Sequence, residues 1–232
     1  MSNADLVGFL SGYVRNPQIL KLEQLDSLEK EKLPDSWLDI LSREPSDRVT
    51  AALSYWNEFK VEFEQVLEYL RDNLVNIDLL HSEFGSFSGY SLLYSVKAND
   101  SERILYYEGR NPKLKKINPE VLGFWNDLPN GLKNFYELHN GWRYLPSGSM
   151  GLSPVEGFFL LESEDWGILD TIGKSPVDLS KTLALYENGM GDYLCIEFKD
   201  GSKSCLLWSS SGAPKLGLDF WPVVDSWTVM GF

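Results

Sequence analysis

The chain has 232 residues, 43% of them hydrophobic and 24% charged, a balance that predicts a packed core and excludes a disordered chain. The formal charge is −13 and the pI about 4.6, which disfavours direct contact with nucleic acid or anionic lipid and favours encounter with basic partners. No run of about 18 apolar residues and no basic segment leading into an apolar one occurs, so neither a membrane span nor a signal peptide is expected; the two cysteines suggest no disulfide framework and a reducing, cytoplasmic setting.

Apolar periodicity predicts a mostly helical N-terminal region over residues 1–84. A short amphipathic segment covers 5–13, and a second runs from Leu33-Pro34 through Trp37, Leu38 and Leu41. The strongest helical pattern follows. Pro45-Ser46 can start it, with Ser46 as cap. Val49, Leu53, Trp56, Phe63, Leu67, Leu70 and Leu74 fall near one face, with Phe59 or Lys60 filling one longer step. Glu58, Glu62, Glu64, Glu68 and Asp72 lie on or beside the polar face. The expectation is one long, acidic helix.

The character changes near Gly85, where a second region, 85–232, begins; the two regions are expected to fold as one unit. Residues 90–96 and 103–107 are rich in β-formers and flank the turn-like Ala98-Asn99-Asp100-Ser101, which predicts a hairpin. Lys113, Lys115 and Lys116 form a small basic cluster, expected in a solvated loop or at a strand edge. Asn118-Pro119 can start a short helix through Trp125. Leu128-Pro129-Asn130-Gly131 breaks it, and a second helix over 132–139 carries the stripe Leu132, Phe135, Tyr136 and Leu138 before Asn140-Gly141 ends it.

Beyond that point strands and turns dominate. Residues 157–161 and 182–186 are buried-strand candidates, and 193–199 and 203–208 flank Asp200-Gly201, a two-residue hairpin signal. The segment 219–227 reads as a closing helix or strand. If Asp200 and Gly201 form the loop, Lys199 faces Ser202, Ile196 faces Cys205 and Cys195 faces Leu206. The cysteines then point to opposite faces and cannot bond, whereas a loop one residue longer would align them. Leu194, Ile196, Phe198, Cys205 and Leu207 share the face expected to be the core.

Catalytic chemistry finds no specific signal. His81 and His139 are far apart, and no Cys or His stands at zinc spacing from another. His139 closes a predicted helix, where a cationic ring suits the dipole. Gly189-Met190-Gly191-Asp192 lacks the Lys-Ser/Thr of a phosphate loop and lies between predicted strands, so it reads as a tight turn. Glu162, Glu164 and Asp165 form a compact acidic group, read either as a solvated loop or as a partner contact. Neither metal nor cofactor is expected, and the chain is not expected to be an enzyme.

From Leu128-Pro129 onward the chain resembles the SUKH superfamily, which contains bacterial toxin-immunity proteins and the yeast cell-wall-synthesis regulator family. The resembling pieces are Leu128-Pro129, Phe135-Tyr136, and His139-Asn140-Gly141-Trp142. A strand over 158–161 follows, then Leu185-Tyr186-Glu187 leading into Gly189-Met190-Gly191-Asp192 and the strand to Glu197. A hairpin partner ending at Trp208 and the aromatic segments Phe220-Trp221 and Asp225-Ser226-Trp227 complete the set. Their order and spacing carry the likeness over residues 128–232. Ser209-Ser210-Ser211-Gly212 stands where the family usually has an acidic or His-containing loop.

The resemblance implies an α+β fold, a mainly antiparallel sheet with helices packed against it, here with a helical N-terminal extension. It also implies binding of a protein partner and no shared catalytic residues. The leading expectation is a monomeric immunity protein that binds and neutralises a cognate, basic toxin domain such as a nuclease. The alternative is a regulatory scaffold without a toxin partner. Candidate contact residues are Glu58, Glu62, Glu68, Glu162, Glu164 and Asp165, with Trp142, Tyr144 and Trp166 as aromatic anchors.

Overall fold

The computed structural model describes residues 2–199 and 201–232. The chain opens with a reciprocal cap: the Ser2 hydroxyl accepts from the Asp5 amide and the Asp5 carboxylate from the Ser2 amide, starting α1 (Asn3–Leu10). The strand β1 (Arg15–Leu20) follows, then α2 (Ser27–Glu31), capped in the same way by Asp26 and Glu29, and α3 (Asp35–Ser42).

The expected long helix is two helices. α4 (Pro45–Trp56) begins with Pro45 in its first turn and Glu44, not Ser46, at the cap position; α5 (Glu64–Asn73) starts after a break. The break has a tertiary cause. Asp225, 160 residues away, takes the Gln65 and Val66 amides on its two carboxylate oxygens, each at 2.9 Å. In a continuous helix those amides would bond to Val61 and Glu62. The interruption lets Trp56, Phe59 and Phe63 close around Phe135, with ring centroids 5.1–5.6 Å from it.

Strand structure starts earlier than the expected change at Gly85. β2 (Leu74–Phe84) follows α5 directly and pairs with β3 (Phe87–Lys97) around Gly85, so the expected boundary between 84 and 85 falls inside a hairpin. β3 pairs with β4 (Ile104–Arg110), as the β-former pattern predicts. α6 (Pro119–Trp125) and α7 (Asn130–Leu138) stand where expected, Asn118 capping α6. Then come β5 (Trp142–Tyr144), β6 (Ser149–Leu152), the two-residue β7 (Phe159–Leu160), α8 (Ile168–Ile172), β8 (Thr182–Glu187), β9 (Asp192–Lys199), β10 (Ser202–Ser209), β11 (Lys215–Leu218) and the closing helix α9 (Phe220–Met230).

All pairings are antiparallel, in the order β1-β2-β3-β4-β5-β6-β8-β9-β10-β11, with β7 beside β6 on the same side of β8. The fold is α+β, with helices packed on the sheet. At both edges the ladder is irregular. β1 carries Asn16 at φ 50° and Pro17, and its register slips between Arg15 and Gln18. β11 carries Gly217 at φ 70°, and its register slips opposite Cys205 and Leu206.

The β9–β10 register matches the expectation: Lys199 faces Ser202, Ile196 faces Cys205 and Cys195 faces Leu206. Asp200, expected in that turn, lies outside the described residues. Leu194, Ile196, Phe198 and Cys205 join the main core and Leu207 is half-buried. The opposite face is not solvated. Cys195, Leu206 and Trp208 pack there under Leu161, Trp166 and Val177. Further along that reverse face, Leu6, Leu10 and Val14 cover Leu80, Leu93 and Tyr106. The front face carries α3 to α7 and α9 over a single core.

Candidate binding surface

The acidic group Glu162, Glu164 and Asp165 sits on an exposed loop whose two ends are held in the reverse-face core. Leu161 is fully buried, Trp166 is 8% exposed, and the Trp166 indole N–H donates to the Leu161 carbonyl at 2.6 Å, closing the loop on itself. The Trp166 ring packs edge-on against Trp208 and Tyr193. The loop thus holds three carboxylates outward, and none of them has an ion pair among the described residues. The paired carboxylates there are Asp39, Glu102, Glu108 and Glu137. Half-buried Phe159, Ile168, Leu169, Leu179 and Tyr193 pack against the same core, so an apolar border adjoins the charge.

The second acidic feature is on α5. Glu64, Glu68 and Asp72 repeat at four-residue steps along its exposed side, while Val66, Leu67 and Leu70 face the core. Glu58 is exposed on the turn before it. Glu62 is half-buried, its carboxylate lying over Gly131 in the first turn of α7. Lys60 and Arg71 interrupt this side with positive charge. α5 packs into the front core and the 162–165 loop into the reverse one. The sheet therefore separates the two acidic groups that the sequence offered as one contact set.

Two of the three expected aromatic anchors are core residues. Trp142 is 1% exposed, stacked on Tyr107 at 4.6 Å and set edge-on to Trp56 at 4.9 Å. Trp166 serves the loop closure described above. Tyr144 is half-buried against Tyr107. The residues carrying the family likeness are structural. Leu128 is buried and Pro129 precedes the first turn of α7. Asn140 accepts from the Val155 amide, donates to Glu156, and places its own amide on the Arg110 carbonyl. Gly141 has φ 79°, and a Cβ there would stand 2.6 Å from the Pro154 nitrogen, so no other residue fits. Gly189 and Gly191 turn the chain around Asn188, whose side-chain oxygen accepts from the Met190 and Asp192 amides; its amide group donates to the Asp192 carboxylate.

His139 has a structural position, as expected, but not a cationic one. It is fully buried, with Nε2 2.7 Å from the Tyr94 hydroxyl, which also accepts from the Trp56 indole. Burial lowers its pKa to about 3. The ring is a neutral member of an aromatic cluster and gives nothing to the helix dipole. The basic cluster is likewise partly structural. Lys113 donates to the carbonyls of Glu31, the last residue of α2, and Leu33 beyond it, and Lys115 to the Tyr136 carbonyl in the last turn of α7, where cations satisfy orphan carbonyls.

A buried ionic group on β3, β4 and β5 was not expected. Glu108, 2% exposed, accepts from Ser91 at 2.9 Å and from Arg110 Nε at 3.1 Å, with Arg143 Nη2 at 3.8 Å. Burial alone would raise the Glu108 carboxyl, but the charges of Arg110 and Arg143 and the hydrogen bonds from Ser91 and Arg110 together hold it below its usual range. Glu108-Gly109-Arg110, continuing the β-former run in period two, was the available sequence signal. Elsewhere, Asp78 lines a cleft of about 510 Å³ with Arg48 and Asn76. Burial raises its pKa, against an Asn76 hydrogen bond at 2.7 Å. The Arg48 nitrogens donate to the Arg43, Leu41 and Ile77 carbonyls, so its charge acts on Asp78 without a direct hydrogen bond.

No helix among the described residues is long and apolar enough to cross a membrane. No family model, curated protein or solved structure matches the chain.

Proposed function

We propose that this chain is an immunity-type protein that binds a basic toxin domain in the cytoplasm and blocks it by direct contact, with no chemistry or cofactor of its own. The 162–165 loop carries the reading. It presents three carboxylates without counter-ions among the described residues, from a segment fixed at Leu161 and Trp166 and beside half-buried apolar side chains. A nuclease attracts phosphate through a basic surface, and preorganised carboxylates compete for that surface while the net charge speeds encounter. The segments resembling the SUKH superfamily support a protein partner of this kind. The α5 side, interrupted by Lys60 and Arg71 and facing the other way, is assigned a solubility role.

The test is co-expression with the toxin encoded beside this chain's gene. The intact chain restores growth and co-purifies one-to-one. The combined Glu162→Gln, Glu164→Gln, Asp165→Asn variant, all at exposed positions, loses rescue and associates on the order of tenfold or more slowly at low salt. No rescue by the intact chain against any neighbouring toxin overturns the immunity reading in favour of the regulatory scaffold.

A further inference from the structure

The hairpin turn between β2 and β3 overhangs a cleft of about 400 Å³. Phe84, Phe87, Leu114 and Pro154 give it apolar walls, and Arg110, Arg143, Lys116 and Glu156 give it charge. In a protein of charge −13 this is a local excess of cations.

The hydrogen bonding of Arg110 is incomplete. Its side chain is only 7% exposed, and Nε is spent on Glu108. Nη2 is buried with no acceptor among the described residues, and no bond is made there by Nη1. The guanidinium lies over the Phe87 ring, 4.2 Å from its centroid, and 5.7 Å from that of Phe84. Glu108 accepts from Ser91 and from Arg110 Nε, with Arg143 Nη2 at 3.8 Å, and takes no bond from Arg110 Nη2. Arg143 spends Nη1 on the Gly148 carbonyl, and its Nε is also buried without an acceptor. A buried guanidinium with unsatisfied donors at the wall of a cavity is a waiting half of a bidentate pair.

We propose that this cleft is a binding site for a monocarboxylate borne on an apolar group, the carboxylate meeting Arg110 and the apolar body lying against Phe84, Phe87 and Leu114. Charge selects the anion. At the wall three cations (Arg110, Arg143, Lys116) stand beside one carboxylate, Glu156; Glu108 behind them, and Glu187 acting on Arg143, offset part of that charge, which suits a singly charged anion better than a doubly charged one. Glu156, held by the Asn140 side chain and the Lys116 amide, opposes a doubly charged phosphate. Volume and walls suit a ring or short branched chain. The Lys116 ammonium is exposed, has no acceptor among the described residues, and adds long-range attraction.

The test uses the intact chain and amide NMR shifts at Gly85, Phe87, Lys116 and Gly157. The probes are benzoate and acetyl-Gly-Phe as free acids, with benzamide and the peptide amide as neutral counterparts. Saturable shifts with either acid, and not with its amide, support the site; the tighter acid distinguishes a free acid from a chain terminus as the source. Lys116→Glu, at an exposed position, weakens binding roughly two- to tenfold, and Arg110→Met abolishes it. Should Arg110→Met fail to fold, the acid–amide comparison and Lys116→Glu decide alone. Equal binding of acid and amide, no saturable shift with either acid, or unchanged affinity in Lys116→Glu overturns the proposal.

Discussion

His139 stores a pH dependence in a single ring. Folded, it accepts a proton only near pH 3 because burial disfavours the charge; its ordinary value is 6.5. Between those values the unfolded chain binds the proton and the folded chain does not, so stability falls as pH drops from about 6.5 toward 3. From pH 7 to pH 5.5 the loss due to this residue is about 1 kcal/mol, read by urea denaturation at the two values. His139→Gln starts from a lower stability and lacks that increment. An equal pH 7-to-5.5 loss in the variant would remove His139 as its source. Residue type announced a histidine at a helix end, not that Trp37, Trp56, Tyr94 and Phe135 would enclose it. The same shortfall put Trp142 and Trp166 among expected contact residues, because an indole suits a core and an interface equally.

Between elements, the Asp225 clasp decides most. A carboxylate from α9 does for α5 what a local Asp or Ser does for an ordinary helix start, and does it across the chain. Asp225→Asn keeps the shape and loses the charge. Stability should fall by about 1–2 kcal/mol in urea denaturation, and the Gln65 and Val66 amides should exchange faster than those of Leu67 and Leu70. Unchanged exchange at the two amides would show the α5 start to be capped by other means. This contact is why periodicity read one helix over 45–74: nothing within that window signals a break supplied from residue 225. Elements with their own local chemistry were legible, such as α6 with its Asn118 cap and the β9–β10 hairpin with its register. β1, β5, β6 and β11 were not, being short, interrupted by Pro17 or Gly, and formed only because neighbouring strands await them. The acidic loop was readable as composition; its anchoring by Leu161 and Trp166 was not.

For the molecule as a whole, charge and layering act together. Few carboxylates are paired among the described residues, so the electronegative exterior remains available for steering. Association with a basic toxin domain should slow as ionic strength rises, while dissociation changes less; stopped-flow rates across a salt series measure both. An association rate indifferent to salt removes charge steering and leaves burial of the apolar border as the driving force. The sheet makes the acidic faces alternatives, since α5 and the 162–165 loop look outward from opposite sides of it. A partner gripping one leaves the other in water.

The margins of that sheet have their own consequence. Strands laid side by side nearly in chain order leave two open flanks, each an invitation for a foreign strand to dock and for copies to stack. Asn16 and Pro17 on one flank, and the kinked Gly217 on the other, spoil the even spacing of donors and acceptors that such docking needs. Growth along the rims of the sheet by added strands is thereby disfavoured.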